Sequence, residues 1–168
     1  MVDFGYDISN FTAIDPVFGT MDDFKTFLAK AKELDLKVVL DLVPNHSSDM
    51  HPWFQKGLQG DEKYKNYYMW AEGKNKDDKT PPNNWLSVFS GSAWEYVDSQ
   101  KQWYFHQFDY RQPDLNFSNP DVRDEMKVSF IEESSVFLKC CHILKTFIKI
   151  SHFGIPITLI LFKKIKEK

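Results

Sequence analysis

The chain has 168 residues, 42% hydrophobic and 16% aromatic, enough to bury the core of one domain but short for two. Its net charge of -3, with no long basic stripe before the last few residues, gives nucleic-acid binding no footing. Cys140 and Cys141 are neighbours, which is poor geometry for pairing with each other, so no disulfide framework is expected and the redox compartment stays open.

Met1-Val2-Asp3-Phe4-Gly5 lacks a basic segment followed by an apolar one, so no signal peptide is expected within this chain. A helix is expected from Thr20. Thr20-Met21-Asp22-Asp23 reads as a capping-box variant, and Met21, Phe24, Phe27, Leu28, Ala31 and Leu34 follow at helical spacing as far as Asp35. Residues 36–43 then have the continuous apolar character of a strand covered on both faces, interrupted by Lys37 and Asp41. A helix followed by a buried strand implies a parallel α/β arrangement.

Residues 47–110 are rich in Trp, Tyr, Phe, Asn and Lys, with a polar loop over 73–82. The runs Tyr67-Tyr68-Met69-Trp70 and Gln102-Trp103-Tyr104-Phe105-His106 are expected to be strands on either side of that loop. A second helix is expected from Ser118-Asn119-Pro120-Asp121, where a capping residue precedes a proline and an acid. From Val128 the composition changes: 128–168 hold neither Asp nor Arg. The apolar run from Gly154 to Phe162 is broken by Pro156 and is far shorter than the ~20 residues of a spanning helix, so no membrane anchor is expected from it.

At the carboxyl end of the apolar strand stand Asp41, Asn45 and His46. In parallel barrels that end faces the catalytic mouth. Taken alone, the trio reads more readily as loop-capping groups and a structural histidine than as a site. The wider series is more specific. Asp3-Phe4-Gly5-Tyr6-Asp7-Ile8-Ser9, Ala13-Ile14-Asp15-Pro16, Phe18-Gly19-Thr20, Asp41-Leu42-Val43-Pro44-Asn45-His46-Ser47-Ser48, His51-Pro52-Trp53-Phe54, Asn84-Trp85 and Gln112-Pro113-Asp114-Leu115-Asn116 occur in this order. Over residues 1 to about 127 the chain resembles the α-amylase family of glycoside hydrolases, in its maltase and oligo-1,6-glucosidase branch, most of all insect maltases.

The resemblance implies a partial (β/α)8 barrel of class α/β, with a small α+β subdomain inserted after the third strand. It assigns 1–46 to the barrel (second helix, third strand), 47–111 to the inserted subdomain, and 112–127 to the return to the barrel and the start of the third helix. Residues 128–168 follow no family pattern and are expected to be unstructured, the product of truncation, alternative splicing or a gene model read into an intron. The first strand, first helix and second strand would precede Met1.

By the same resemblance, Asp41 organises the active-site floor and His46 hydrogen-bonds the sugar at the cleavage subsite. Tyr6 stacks beneath that sugar, and Asp3 grips the terminal hydroxyls of a non-reducing-end glucose. Such roles suit sugars, which offer hydroxyls to carboxylates and imidazoles and an apolar face to aromatic rings. A core aromatic and a turn acid are the alternatives for Tyr6 and Asp3. Asn45 belongs to the strand-end motif, and Gln112, Pro113, Asp114 and Asn116 resemble the family's fifth region, with a positional role.

Retaining hydrolysis needs two carboxyl groups about 5–5.5 Å apart. In the family the nucleophile is an Asp about thirty residues beyond the Asn119-Pro120-Asp121-Val122-Arg123-Asp124 segment, and the acid is a later Glu. The last aspartate here is Asp124 and the last arginine Arg123, so neither catalytic group is expected in this chain. The resemblance implies terminal α-linked glucose of maltose or short oligosaccharides as substrate, no cofactor, and a secreted or membrane-anchored extracellular lineage. A calcium site, where relatives have one, would lie in a loop before Met1. The alternatives are a non-catalytic subunit like the heavy chains of amino-acid transporters, which share the barrel, and a sugar-binding fragment. Three sequons, Asn10-Phe11-Thr12, Asn45-His46-Ser47 and Asn116-Phe117-Ser118, are compatible with a secretory lineage, though a glycan on Asn45 would obstruct the expected pocket.

Overall fold

The computed structural model describes residues 4–36, 38, 41–75, 79–127 and 159–160, the last two, like 41–42, by their backbone. Asp3, most of the expected strand before Asp41, and the tail apart from 159–160 lie outside them.

A 3-10 turn, Pro16–Phe18, leads into helix α1, Met21–Glu33. Gly19 joins the two at φ +114, and a β-carbon there would stand 2.9 Å from Asp23 Oδ2, so only glycine fits. The capping box forms as expected from its residues. The Asp23 N–H donates to Thr20 Oγ1 at 3.2 Å, and Asp23 Oδ2 accepts from the Thr20 N–H at 2.8 Å. Ala31 is buried, while Phe27 and Leu34 of the same stripe are exposed.

Strand β1, Asp41–Leu42, pairs antiparallel with Leu159–Ile160 (β5), with Asp41 opposite Ile160 and Leu42 opposite Leu159. Both sheets among the described residues are antiparallel. The expected parallel pairing needs a second barrel strand returned by a crossover helix, and the described residues include one such strand.

Two short helices follow, α2 (Pro52–Leu58) and α3 (Glu62–Lys65), capped by His51 and Asp61. A three-stranded sheet comes next, of β2 (Trp70–Ala71), β3 (Trp94–Val97) and β4 (Gln102–Phe105) in the order β2-β4-β3. The first aromatic run was expected to be a strand from Tyr67. Instead, Tyr67 closes the turn after α3, donating its N–H to the Tyr64 carbonyl, and Tyr68 makes a single bridge to Leu115 before β2 begins. Strand β3 and helices α2 and α3 were not foreseen, because their short segments carry no resolvable period. Residues 120–127 (α4) are helical, with Asn119 Oδ1 accepting from the Asp121 N–H at 2.9 Å. The cap is thus Asn119, and Pro120 takes the first helical position.

Alternation along β4 builds two cores, since successive strand side chains point to opposite faces. Tyr104 enters a cluster with Phe54, Tyr67, Tyr68, Leu115, Val122 and Met126. Trp103 and Phe105 face the other way, onto Ala93 and Trp94. The larger core therefore joins α2, the sheet, the 115 segment and α4. Its phenols are paired, as buried hydroxyls must be: Tyr104 donates to the Tyr110 carbonyl at 2.7 Å and Tyr67 to Glu125 Oε1 at 3.2 Å.

Thr20→Ala removes the α1 cap and should cost about 1 kcal/mol. Urea unfolding should show a lower midpoint at unchanged slope, and an unshifted midpoint would contradict the capping role.

Candidate functional site

The segment after β1 is held by backbone contacts with the 111–115 segment. The Leu115 N–H donates to the Asn45 carbonyl (3.0 Å), the Ser47 N–H to Pro113 (3.2 Å) and the Asp49 N–H to Arg111 (2.8 Å), with His46 and Asp114 bridged between them. Gln112-Pro113-Asp114-Leu115-Asn116 is thus the partner strand of the Asn45-His46 segment. The Ser48 N–H also donates to the Ile8 carbonyl at 2.8 Å, tying in the loop that carries Tyr6.

That loop and the zipper bring His46 and Tyr6 together. His46 is buried, its Nε2 lies 2.9 Å from the Tyr6 carbonyl oxygen, and its ring packs 5.4 Å from Phe108. A carbonyl can only accept, so Nε2 carries the proton. The Tyr6 residue is 45% exposed, and its link to His46 runs through the backbone. Asp3 lies outside the described residues, and Asp41 contributes its backbone to β1.

The zipper is braced from both sides. Asp109 accepts from Arg111 through two bonds, Nε to Oδ1 at 2.7 Å and Nη2 to Oδ2 at 2.8 Å, and Arg111 holds the Asp109 carboxyl down to about 2. Gln112 is buried. Its Oε1 accepts from the Asp109 N–H at 3.1 Å, and its own N–H donates to the Asp109 carbonyl at 2.9 Å, closing the turn. Pro113 is buried beside it. The Asn116 N–H donates to the Tyr67 carbonyl at 2.7 Å, and Asn116 Oδ1 accepts from the Ser118 N–H at 3.2 Å. On the opposite strand, the Ser47 hydroxyl donates to the Ser48 carbonyl, which leaves Tyr68 to donate across 2.7 Å to Ser47 Oγ. Burial pushes the Tyr68 hydroxyl well above the usual phenol range. The aspartate-arginine clamp and the Ser47–Tyr68 pair were missed in sequence. Asp109-Tyr110-Arg111 has the spacing of an Asx turn, which was the available signal.

Burial also shifts Asp114 and His51. Asp114 Oδ2 accepts from the Gln107 N–H at 2.6 Å, yet desolvation dominates and raises its carboxyl to about 7. His51 Nδ1 accepts from the Trp53 N–H at 3.1 Å, its ring lies 4.5 Å from that of Trp53, and burial lowers it to about 4. Among the described residues no cluster of His, Cys, Asp and Glu could hold a metal, and no helix is long and apolar enough to cross a membrane.

The catalytic-domain model of the α-amylase family matches residues 1–133, and the chain belongs to that family. Maltase A2 of Drosophila melanogaster is 50% identical over 129 residues, 75% of this chain and 23% of that protein. The salivary alpha-glucosidase of Anopheles gambiae is 52% identical over 129 residues, 76% of this chain and 22% of that one. The human amino acid transporter heavy chain SLC3A1 is 48% identical over 126 residues, 74% of this chain and 18% of its own. Among solved structures, trehalose-6-phosphate hydrolase of Bacillus licheniformis superimposes with a TM-score of 0.76 at 39% identity, covering 81% of this chain and 24% of that one. The described fold is part of a (β/α)8 barrel with its inserted α+β subdomain. The chain spans about a quarter or less of the length of these relatives.

The two titrations act in opposite directions. Asp114, raised from 3.8 to about 7, keeps a proton that the unfolded chain has released, so stability falls as pH rises through that window. His51, lowered from 6.5 to about 4, contributes stability above pH 6.5 that is lost as pH falls towards 4. Asp114→Asn, which keeps an oxygen for Gln107, should raise stability above pH 7 and leave it unchanged below pH 4. His51→Asn, which keeps a cap, should remove the acid-side loss. Urea midpoints from pH 4 to 8 read both, at about 1.4 kcal/mol per unit of separation as an upper bound; parallel curves for variant and parent would exclude these assignments.

Proposed function

We propose that this chain is the glucose-recognition portion of an α-glucosidase, in which His46 and Tyr6, with Asp3 and Asp41, hold a terminal α-linked glucose of maltose or a short oligosaccharide. The observation that supports this most directly is the contact of His46 with the Tyr6 backbone, held where the zipper meets the Ile8 loop. Two motifs forty residues apart meet there, and both are ones whose counterparts in the family touch sugar. The exposed Tyr6 ring supplies an apolar surface of the kind a pyranose face packs against.

In the complete enzymes of the family, hydrolysis retains configuration and uses a carboxylate nucleophile and a carboxylic acid partner. Residues 134–168 lie beyond the family match and contain no aspartate, with Glu167 as their one glutamate. We therefore read the 168-residue chain as binding without turnover. A non-catalytic subunit is the second reading, favoured by the 48% identity to the transporter heavy chain. The presence of Asp3, Tyr6, Asp41 and His46 in one sequence supports the hydrolase lineage.

Titration of the purified chain with maltose, followed by NMR, should shift the His46 and Tyr6 ring signals, and His46→Ala should weaken binding at least tenfold. No nitrophenol should be released from a nitrophenyl α-glucoside. Turnover above a buffer blank would refute the incomplete-machinery reading, while undisturbed His46 and Tyr6 signals at saturating maltose would refute the recognition reading and leave the subunit alternative.

A further inference from the structure

Of the three sequons in the chain, the fold treats each differently. In Asn45-His46-Ser47 the serine is fully buried, its hydroxyl committed to the Ser48 carbonyl and Tyr68, and the Asn45 carbonyl accepts from Leu115. A branched sugar attached there would have to break the zipper. In Asn116-Phe117-Ser118, Asn116 is half-buried and its Nδ2, the atom that would carry the sugar, is turned towards the Asn66 carbonyl at 3.5 Å.

Asn10-Phe11-Thr12 is arranged the other way. Asn10 and Thr12 are both exposed, while Phe11 between them is anchored against His51 (5.4 Å) and Trp53 (6.0 Å). Pinning the middle residue turns its two neighbours outward. Asn10 Oδ1 accepts from both the Thr12 N–H at 2.9 Å and the Thr12 hydroxyl at 3.0 Å, so neither bond occupies Nδ2. Both bonds span two residues, so a chain that has not yet folded can form this turn. Donors on the amide oxygen also stabilise the negative charge that develops there as the nitrogen gives up its proton.

We propose that Asn10 is an N-glycan acceptor. The donor would be a lipid-diphosphate-linked oligosaccharide. Asn10 Nδ2 forms a bond to the anomeric carbon, and the bond from that carbon to the diphosphate oxygen breaks. The lipid diphosphate leaves with the electron pair, and the amide proton passes to a base of the transferring enzyme. The proposal needs passage through a secretory compartment, for which the salivary relative at 52% identity is the support. It does not depend on sugar cleavage or recognition by this chain, so its failure and theirs are separable.

The test is to express the full 168-residue chain behind a secretion leader in insect cells and compare its mass before and after peptide-N-glycanase. One glycan should be released, leaving aspartyl at position 10 in the mapped peptide. Asn10→Gln and Thr12→Ala should each abolish the shift, the second while keeping the Asn10 amide, whereas Asn116→Gln and Asn45→Gln should leave it intact. The shift is read on total cell protein, so it does not require a variant to be secreted. An unmodified chain that protease protection shows to be inside the membrane compartment would overturn the proposal. So would a glycan that survives Asn10→Gln, or one that maps to Asn45 or Asn116 in place of Asn10.

Discussion

The short antiparallel zipper between residues 45–49 and 111–115 is the constraint on which the rest of this structure depends. Each of its backbone bonds contributes about 0.5–1.5 kcal/mol net, and breaking one in a buried place would strand a donor and an acceptor together. Three bonds therefore hold the register of the segment that carries His46. A shift by one residue would turn His46 outward and drive Asn45 or Ser47 into its place, because side chains alternate along an extended segment. The register is held outside the zipper as well. The Asp109–Arg111 fork closes the turn that delivers residue 111, and Ser47 and Tyr68 lock the other strand to the aromatic core.

The core is built to tolerate polar groups. Three of its seven buried members are tyrosines, and each hydroxyl finds a partner at the cluster's edge: Ser47, the Tyr110 carbonyl or Glu125. Edge-to-face contacts such as Phe54 with Tyr68 at 5.0 Å and with Tyr104 at 5.1 Å fill the space between them. The price of this polarity is concentrated at Asp114, whose carboxyl is buried against a single backbone donor. Residues of α2, the three-stranded sheet and α4 share this core and pack together around Leu115, Val122 and Met126. Helix α1, by contrast, buries Ala31 and leaves Phe27 and Leu34 exposed.

Elements that announce themselves within a few residues were legible in the sequence. The capping box at Thr20 and Asp23 and the proline-led start of α4 follow from local hydrogen bonding, and both appear where their residues dictate. Family membership was legible too, because several motifs in one order are improbable together. The short helices α2 and α3 and strand β3 were not, since four to seven residues are too few to display a period and their capping groups, His51 and Asp61, are ambiguous in isolation.

What the sequence by itself determined is therefore the family, written in a series of short motifs in one order, and the local starts of α1 and α4, each written in a contiguous stretch. The tertiary structure alone decided that Asn45-His46 pairs with the 112–116 motif, that the His46 ring meets the Tyr6 backbone, and that Asp114 and His51 titrate far from their ordinary values. Those outcomes depend on which distant segments come to lie against one another and on how much water they exclude. Neither pairing nor desolvation is a property of any short stretch of chain.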